Sequence, residues 1–116
     1  MAVVQQQLTT LPNGLRVLTT HLPHAQAASI SFFVGIGSRG EEPRTNGLSH
    51  YLEHMLFKGT TERPTAQAIS QAIEGAGGNL NAFTTHELTC YWNSVPYEAA
   101  PTGIAVVADM IQHSLL

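Results

Sequence analysis

The sequence predicts a chain of the α+β class, and two patterns carry that expectation. Residues 15–22, 27–37, 79–85 and 88–95 are strand-like runs, several rich in branched and aromatic side chains, joined in pairs by short polar turns. Residues 46–59, 66–74 and 97–116 instead repeat their apolar positions every three to four residues, as helices do. At 116 residues the chain is one domain at most.

Taken in order, Leu8 to Leu11 leads into the turn signal Pro12-Asn13-Gly14. The strands at 15–22 and 27–37, connected through Pro23-His24-Ala25-Gln26, are expected to pair as a hairpin. His21 and His24 sit at its end and read as solvated loop residues, since neither has a helical partner at ligand spacing. Residues 38–43 form a loop in which Arg39 could pair with Glu41 or Glu42.

The stretch 46–59 has the marks of one helix, with Asn46 to cap it, Gly59 to end it and no proline inside. A helix turns about 100° per residue, so Glu53, His54 and Phe57 fall within about 60° of His50. Leu48, Leu52 and Met55 cluster on the opposite side and are expected to face the core. Two histidines at i and i+4 can aim ring nitrogens at one point, about 2.0–2.1 Å from a zinc ion. Glu53 then lies beside the metal, placed to take a proton from a zinc-bound water whose pKa falls to about 7. His-x-x-Glu-His is the zincin motif with its glutamate position inverted. The competing view is of ordinary surface histidines in a chain that has six. Spacing, helical context and the opposite apolar face together favour the metal.

Thr65 is placed to cap the next helix, 66–74, whose stripe is Ile69, Ala72 and Ile73 and whose stop is the glycine run at 75, 77 and 78. The strands at 79–85 and 88–95 flank a tight turn at His86-Glu87. Phe83, Tyr91 and Trp92 read as core residues. The asparagines and threonines of the first strand suit an edge that accepts another chain. His86 reads as a solvated turn residue rather than a third metal ligand. The last segment, 97–116, is expected to be helical with Pro101 in its first turn and Ile104, Val107, Ala108, Ile111 and Leu115 as its stripe. It stops on apolar residues without a cap, which leads to the expectation that a longer protein continues beyond Leu116.

Composition narrows the function classes. Five basic residues against eight acidic ones give a net charge of -3, and no basic cluster points to nucleic acid or an anionic membrane. No apolar run is long enough to span a bilayer, and the N-terminus lacks the charged and apolar regions of a secretory signal. The single cysteine, Cys90, lies in an apolar run and reads as a small buried residue, with no internal disulfide possible. A reducing compartment, cytoplasmic or like the mitochondrial matrix, is the expectation.

Four blocks then occur in a recognisable order: Asn13-Gly14-Leu15-Arg16-Val17, Gly37-Ser38-Arg39, the run from Gly47 to Thr60, and the run from Gly77 to Thr84. Together they resemble the N-terminal part of a pitrilysin-type (insulinase-family) zinc metallopeptidase. The tail from Ala108 to Ser114 is most similar to the processing-peptidase-like branch. The resemblance implies an antiparallel sheet backed by helices, with residues 1–116 forming the N-terminal portion of one such domain. It implies zinc (Zn2+) as cofactor, held by His50 and His54, with Glu53 as general base and a third ligand, a glutamate, beyond Leu116. It implies that Asn81, Ala82 and Phe83 lie on the edge strand that receives a peptide substrate. A homologous partner domain or subunit would close over the site. A segment with two of three zinc ligands is expected to be inactive alone. The alternatives are a non-catalytic partner subunit, against which the intact His50, Glu53 and His54 count, and a docking or structural fragment.

Overall fold

The computed structural model describes residues 3–116. Its elements are β1 (Gln5–Thr10), β2 (Arg16–His21), β3 (Ala27–Val34), α1 (Leu48–Leu56), α2 (Ala66–Glu74), β4 (Asn79–Thr84), β5 (Thr89–Pro96) and α3 (Ala100–Gln112), with short 3-10 turns before α1 and α3. Every strand pairing is antiparallel, and the class is α+β.

One pairing departs from expectation. The strand β2 pairs with β1, not with β3, around the Asn13-Gly14 reversal. Asn13 Oδ1 accepts the Leu15 N–H at 3.0 Å and Gly14 takes a φ of 89°, the conformation a tight turn asks for. The strand β1 is hard to see in sequence because its glutamines and threonines give no apolar alternation. The strand β3 lies along β5 instead, and β4 takes the other side, in the order β3-β5-β4.

Alternation along β5 sorts its two faces. Tyr91 and Val95 point to the helices and join Ile69 and Ile73 of α2 and Val106, Val107 and Met110 of α3 in one buried cluster. Each such side chain contributes about 1.5–3 kcal/mol on burial. The stripe expected for α2 is therefore the one that packs. Thr65 caps that helix by accepting the Ala68 N–H at 3.0 Å. On the opposite face Cys90 sits in register between Phe33 and Phe83 and is buried, and burial pushes its thiol up. Phe83 itself is 44% exposed, so it is a cover rather than a core residue.

The stripe expected for α3 is displaced. Its buried residues are Gly103, Val106, Val107, Asp109 and Met110, while Ile104 and Leu115 are exposed. Two contacts set this rotation. Gly103 approaches the sheet where a Cβ would meet Asn93 and Ile30, and its carbonyl accepts the Asn93 Nδ2–H at 2.9 Å. Asp109 is drawn inward by Thr60 Oγ1 at 2.6 Å and Arg63 Nη1 at 2.7 Å, with His113 Nδ1 at 3.1 Å on its other oxygen. This cluster ties the end of α3 to the connection between α1 and α2. No helix of the described residues is long and apolar enough to cross a membrane.

Candidate metal centre

The helix α1 is started from a distance. Its N-cap is Gly47, at a φ of 87°, and no side chain at Asn46 or Gly47 caps it. The Glu41 carboxylate does so instead, accepting the Gly47 N–H at 2.6 Å and the Ser49 N–H at 2.8 Å. The backbone N–H groups of Ser49 and Gly47 hold the Glu41 carboxyl below its ordinary range. Arg39 pairs with Glu87, and Arg44 with Glu42, so neither Arg39 partner expected from sequence is used. The far end falls at Leu56 with Phe57 as C-cap, three residues short of Gly59.

The loop that leads to Glu41 is fastened to the turn between β4 and β5. Ser38 N–H donates to the Thr85 carbonyl at 3.1 Å and Arg39 N–H to that of His86 at 2.9 Å. Ser38 Oγ and His86 Nδ1 lie 2.8 Å apart. Gly37 is packed so closely against the Thr85 and His86 backbone that a Cβ would collide. His86 thus serves a loop contact at this turn.

Along α1 the imidazoles of His50 and His54 stand on adjacent turns, exposed, with their Nε2 atoms 2.9 Å apart and ring centroids 4.6 Å apart. Ligand atoms of His50, Glu53 and His54 all lie within 4.8 Å of one another. No other such three-residue metal-ligating cluster occurs among the described residues, so His21, His24, His86 and His113 take no part in one. The helix is seated about a quarter turn from the expected orientation. Leu48, on the presumed core face, is 45% exposed and Tyr51 61% exposed, whereas Glu53 is 9% exposed. Leu56 and Phe57 are the apolar residues that reach the core, with Phe57 and Tyr91 ring centroids 6.5 Å apart. Glu53 consequently lies at the border between the histidines and the sheet. There Thr84 Oγ1 donates a hydrogen bond to Glu53 Oε2. Burial first, and the nearby Glu53 carboxylate second, raise the Tyr91 phenol above its ordinary value.

The donor set fits a zinc ion. Two nitrogens about 2.0–2.1 Å from a tetrahedral ion stand roughly 3.3 Å apart. The observed 2.9 Å separation reaches that with a small side-chain rotation. Two exposed imidazoles are also the nitrogen ligands that zinc takes readily.

Asn81, Ala82 and Phe83 lie on β4, which has β5 on one side and no strand on the other among the described residues. The Ala82 N–H is occupied by Asn81 Oδ1 at 2.8 Å. Leu80, Ala82 and Thr84 share the face turned to the helices, and the last of these touches Glu53. Two residues outside the motif, Thr84 and Glu41, hold the site in place. Thr84 was findable, since strand alternation puts it on the same face as Ala82; Glu41 was not, since its bond depends on the path of the intervening loop.

Comparison with known proteins supplies the context. Residues 16–116 match the family model described as Insulinase (Peptidase family M16). The chain is 49% identical over 108 residues to an "uncharacterized zinc protease" of Streptomyces coelicolor, covering 93% of this chain and 23% of that protein. It is 42% identical over 110 residues to the mitochondrial-processing peptidase subunit beta of Dictyostelium discoideum, covering 95% of this chain and 23% of that protein. Among solved structures it resembles pitrilysin, with a TM-score of 0.88, 32% identity and coverage of 97% of this chain and 12% of that one. The chain thus spans about a quarter of the length of these curated relatives.

Proposed function

The chain belongs to the insulinase family of peptidases (M16), and from that premise we propose that the full-length protein is a zinc-dependent endopeptidase acting on extended peptides. The observation that carries this is the pair of Nε2 atoms 2.9 Å apart with a nearly buried carboxylate beside them. His50 and His54 hold the ion, and a further ligand comes from beyond Leu116. Zinc, when bound, polarises the scissile carbonyl and acidifies a water. Glu53 accepts the proton of the attacking water at its carboxylate and later returns it to the leaving amine. The low exposure of Glu53 keeps bulk water from competing for that carboxylate.

Asn81, Ala82 and Phe83 receive the peptide as an added strand, for which β4 offers an edge unpaired among the described residues. The Asn81 side chain must then release the Ala82 N–H. A homologous domain or subunit closes over the peptide and sets specificity, and these residues alone are inactive for want of a ligand. A reducing compartment, cytoplasmic or matrix-like, suits a buried free thiol at Cys90. A purely non-catalytic role is disfavoured by the intact His50, Glu53 and His54.

The test is Glu53→Gln in the full-length protein with an internally quenched peptide. The expected result is retained zinc with cleavage lowered at least ~100-fold. Cleavage at the unaltered rate would remove Glu53 from its role.

A further inference from the structure

We infer that Thr84 is a positioning residue for Glu53, locking the general base to the strand that carries the peptide; this rests on the peptidase reading above. Thr84 closes β4, and its hydroxyl donates to Glu53 Oε2. The bond engages one oxygen of the carboxylate and leaves Oε1 for the attacking water. A carboxylate on a helix side chain has free rotation about its last bond unless something fixes it. Here the fixing group belongs to another element, the sheet.

The consequence is geometric. Ala82, where a peptide would pair, and Thr84, which grips the base, are two residues apart on one extended strand and share its face. Covalent geometry along β4 then fixes the paired peptide relative to the Thr84 hydroxyl, and the hydrogen bond passes that register on to the Glu53 carboxylate. The strand is itself anchored next to Thr84, since Thr85 and His86 are fastened to Gly37, Ser38 and Arg39. That same loop continues to Glu41, the cap of α1. Both ends of the Thr84–Glu53 contact are thereby held by one closed circuit of contacts. A threonine that only satisfied a buried oxygen would affect folding and leave turnover per folded molecule unchanged.

The experiment compares full-length wild type with Thr84→Val, which keeps the shape and removes the hydroxyl, and with Thr84→Ser, which restores the donor. For Thr84→Val, kcat should fall about 10- to 100-fold while KM stays within about twofold. Zinc affinity, read by competition with a chromophoric chelator, should be unchanged, and Thr84→Ser should recover most of kcat. Wild-type kcat in Thr84→Val, or no recovery in Thr84→Ser, would overturn the positioning role. A second measurement needs no activity: thermal unfolding of the metal-free protein carrying Thr84→Val, Glu53→Ala or both. The double variant should lose less than the sum of the single losses, and strict additivity would count against the contact. Absence of any cleavage by wild type would instead sink the peptidase reading, and the positioning role of Thr84 with it, while the cycle still reports the bond.

Discussion

Asp109 is the buried charge on which the C-terminal helix turns. Burial pushes its carboxyl up, but donors from Thr60, Arg63 and His113 outweigh that and hold it below its ordinary value. A carboxyl depressed in the folded state stabilises fully above its unfolded value, about 4, and the stabilisation drains away as pH falls through the lower folded value. Replacing it by alanine leaves the half-buried Arg63 with only the exposed Glu62 carboxylate, at 3.5 Å, as a partner. The expected cost is about 3 kcal/mol near neutral pH, with a smaller further loss on acidification than in wild type, both measurable by urea unfolding. An unchanged midpoint would rule out the clamp. Legibility at this scale depends on sequence distance. His50, Glu53 and His54 stand out because a helix brings i, i+3 and i+4 together. Arg63 and Asp109 are 46 positions apart, and no periodicity announces such a pair.

At the scale of the element, α2 was fully legible and α1 only in part. Thr65, Ile69 and Ile73 do in the fold what their pattern implies, because an amphipathic stripe and a local cap are set within one segment. In α1 the same logic misplaces the buried face by about a quarter turn. A polar bond, Glu53 to Thr84, and the packing of Leu56 and Phe57 decide its seating rather than the Leu48, Leu52, Met55 stripe. The start of α1 offers a direct test. Gly47 has a φ of 87°, so Gly47→Ala should cost about 1 kcal/mol and weaken zinc binding through a frayed first turn. Full stability in that variant would mean that the turn relaxes without strain. Glu41→Ala, which leaves the Gly47 and Ser49 N–H groups without their acceptor, should lower the melting temperature and zinc affinity in the same direction.

Across the whole molecule, cohesion is unevenly spread. The core joins β3, β4 and β5 to α2, α3 and the end of α1, whereas every residue of β1 and β2 is exposed. A lone two-stranded hairpin is marginal in water. Amide exchange of these 116 residues alone should therefore be fast in β1 and β2 and slowest in β5; uniform protection would contradict that division. The exposed Leu48, Tyr51, Phe33 and Phe83 should also make the isolated chain bind a hydrophobic dye or self-associate. The α+β class was legible from period and turn chemistry, but the partner of β2 was not, because strand order depends on contacts far apart in sequence. The most direct measurement is zinc stoichiometry in the full-length protein and its single-site variants. One ion should bind per chain, be lost in His50→Ala and in His54→Ala, and remain in Glu53→Gln. Retention of the ion without either histidine, or its loss with Glu53 alone altered, would show that the metal is held elsewhere.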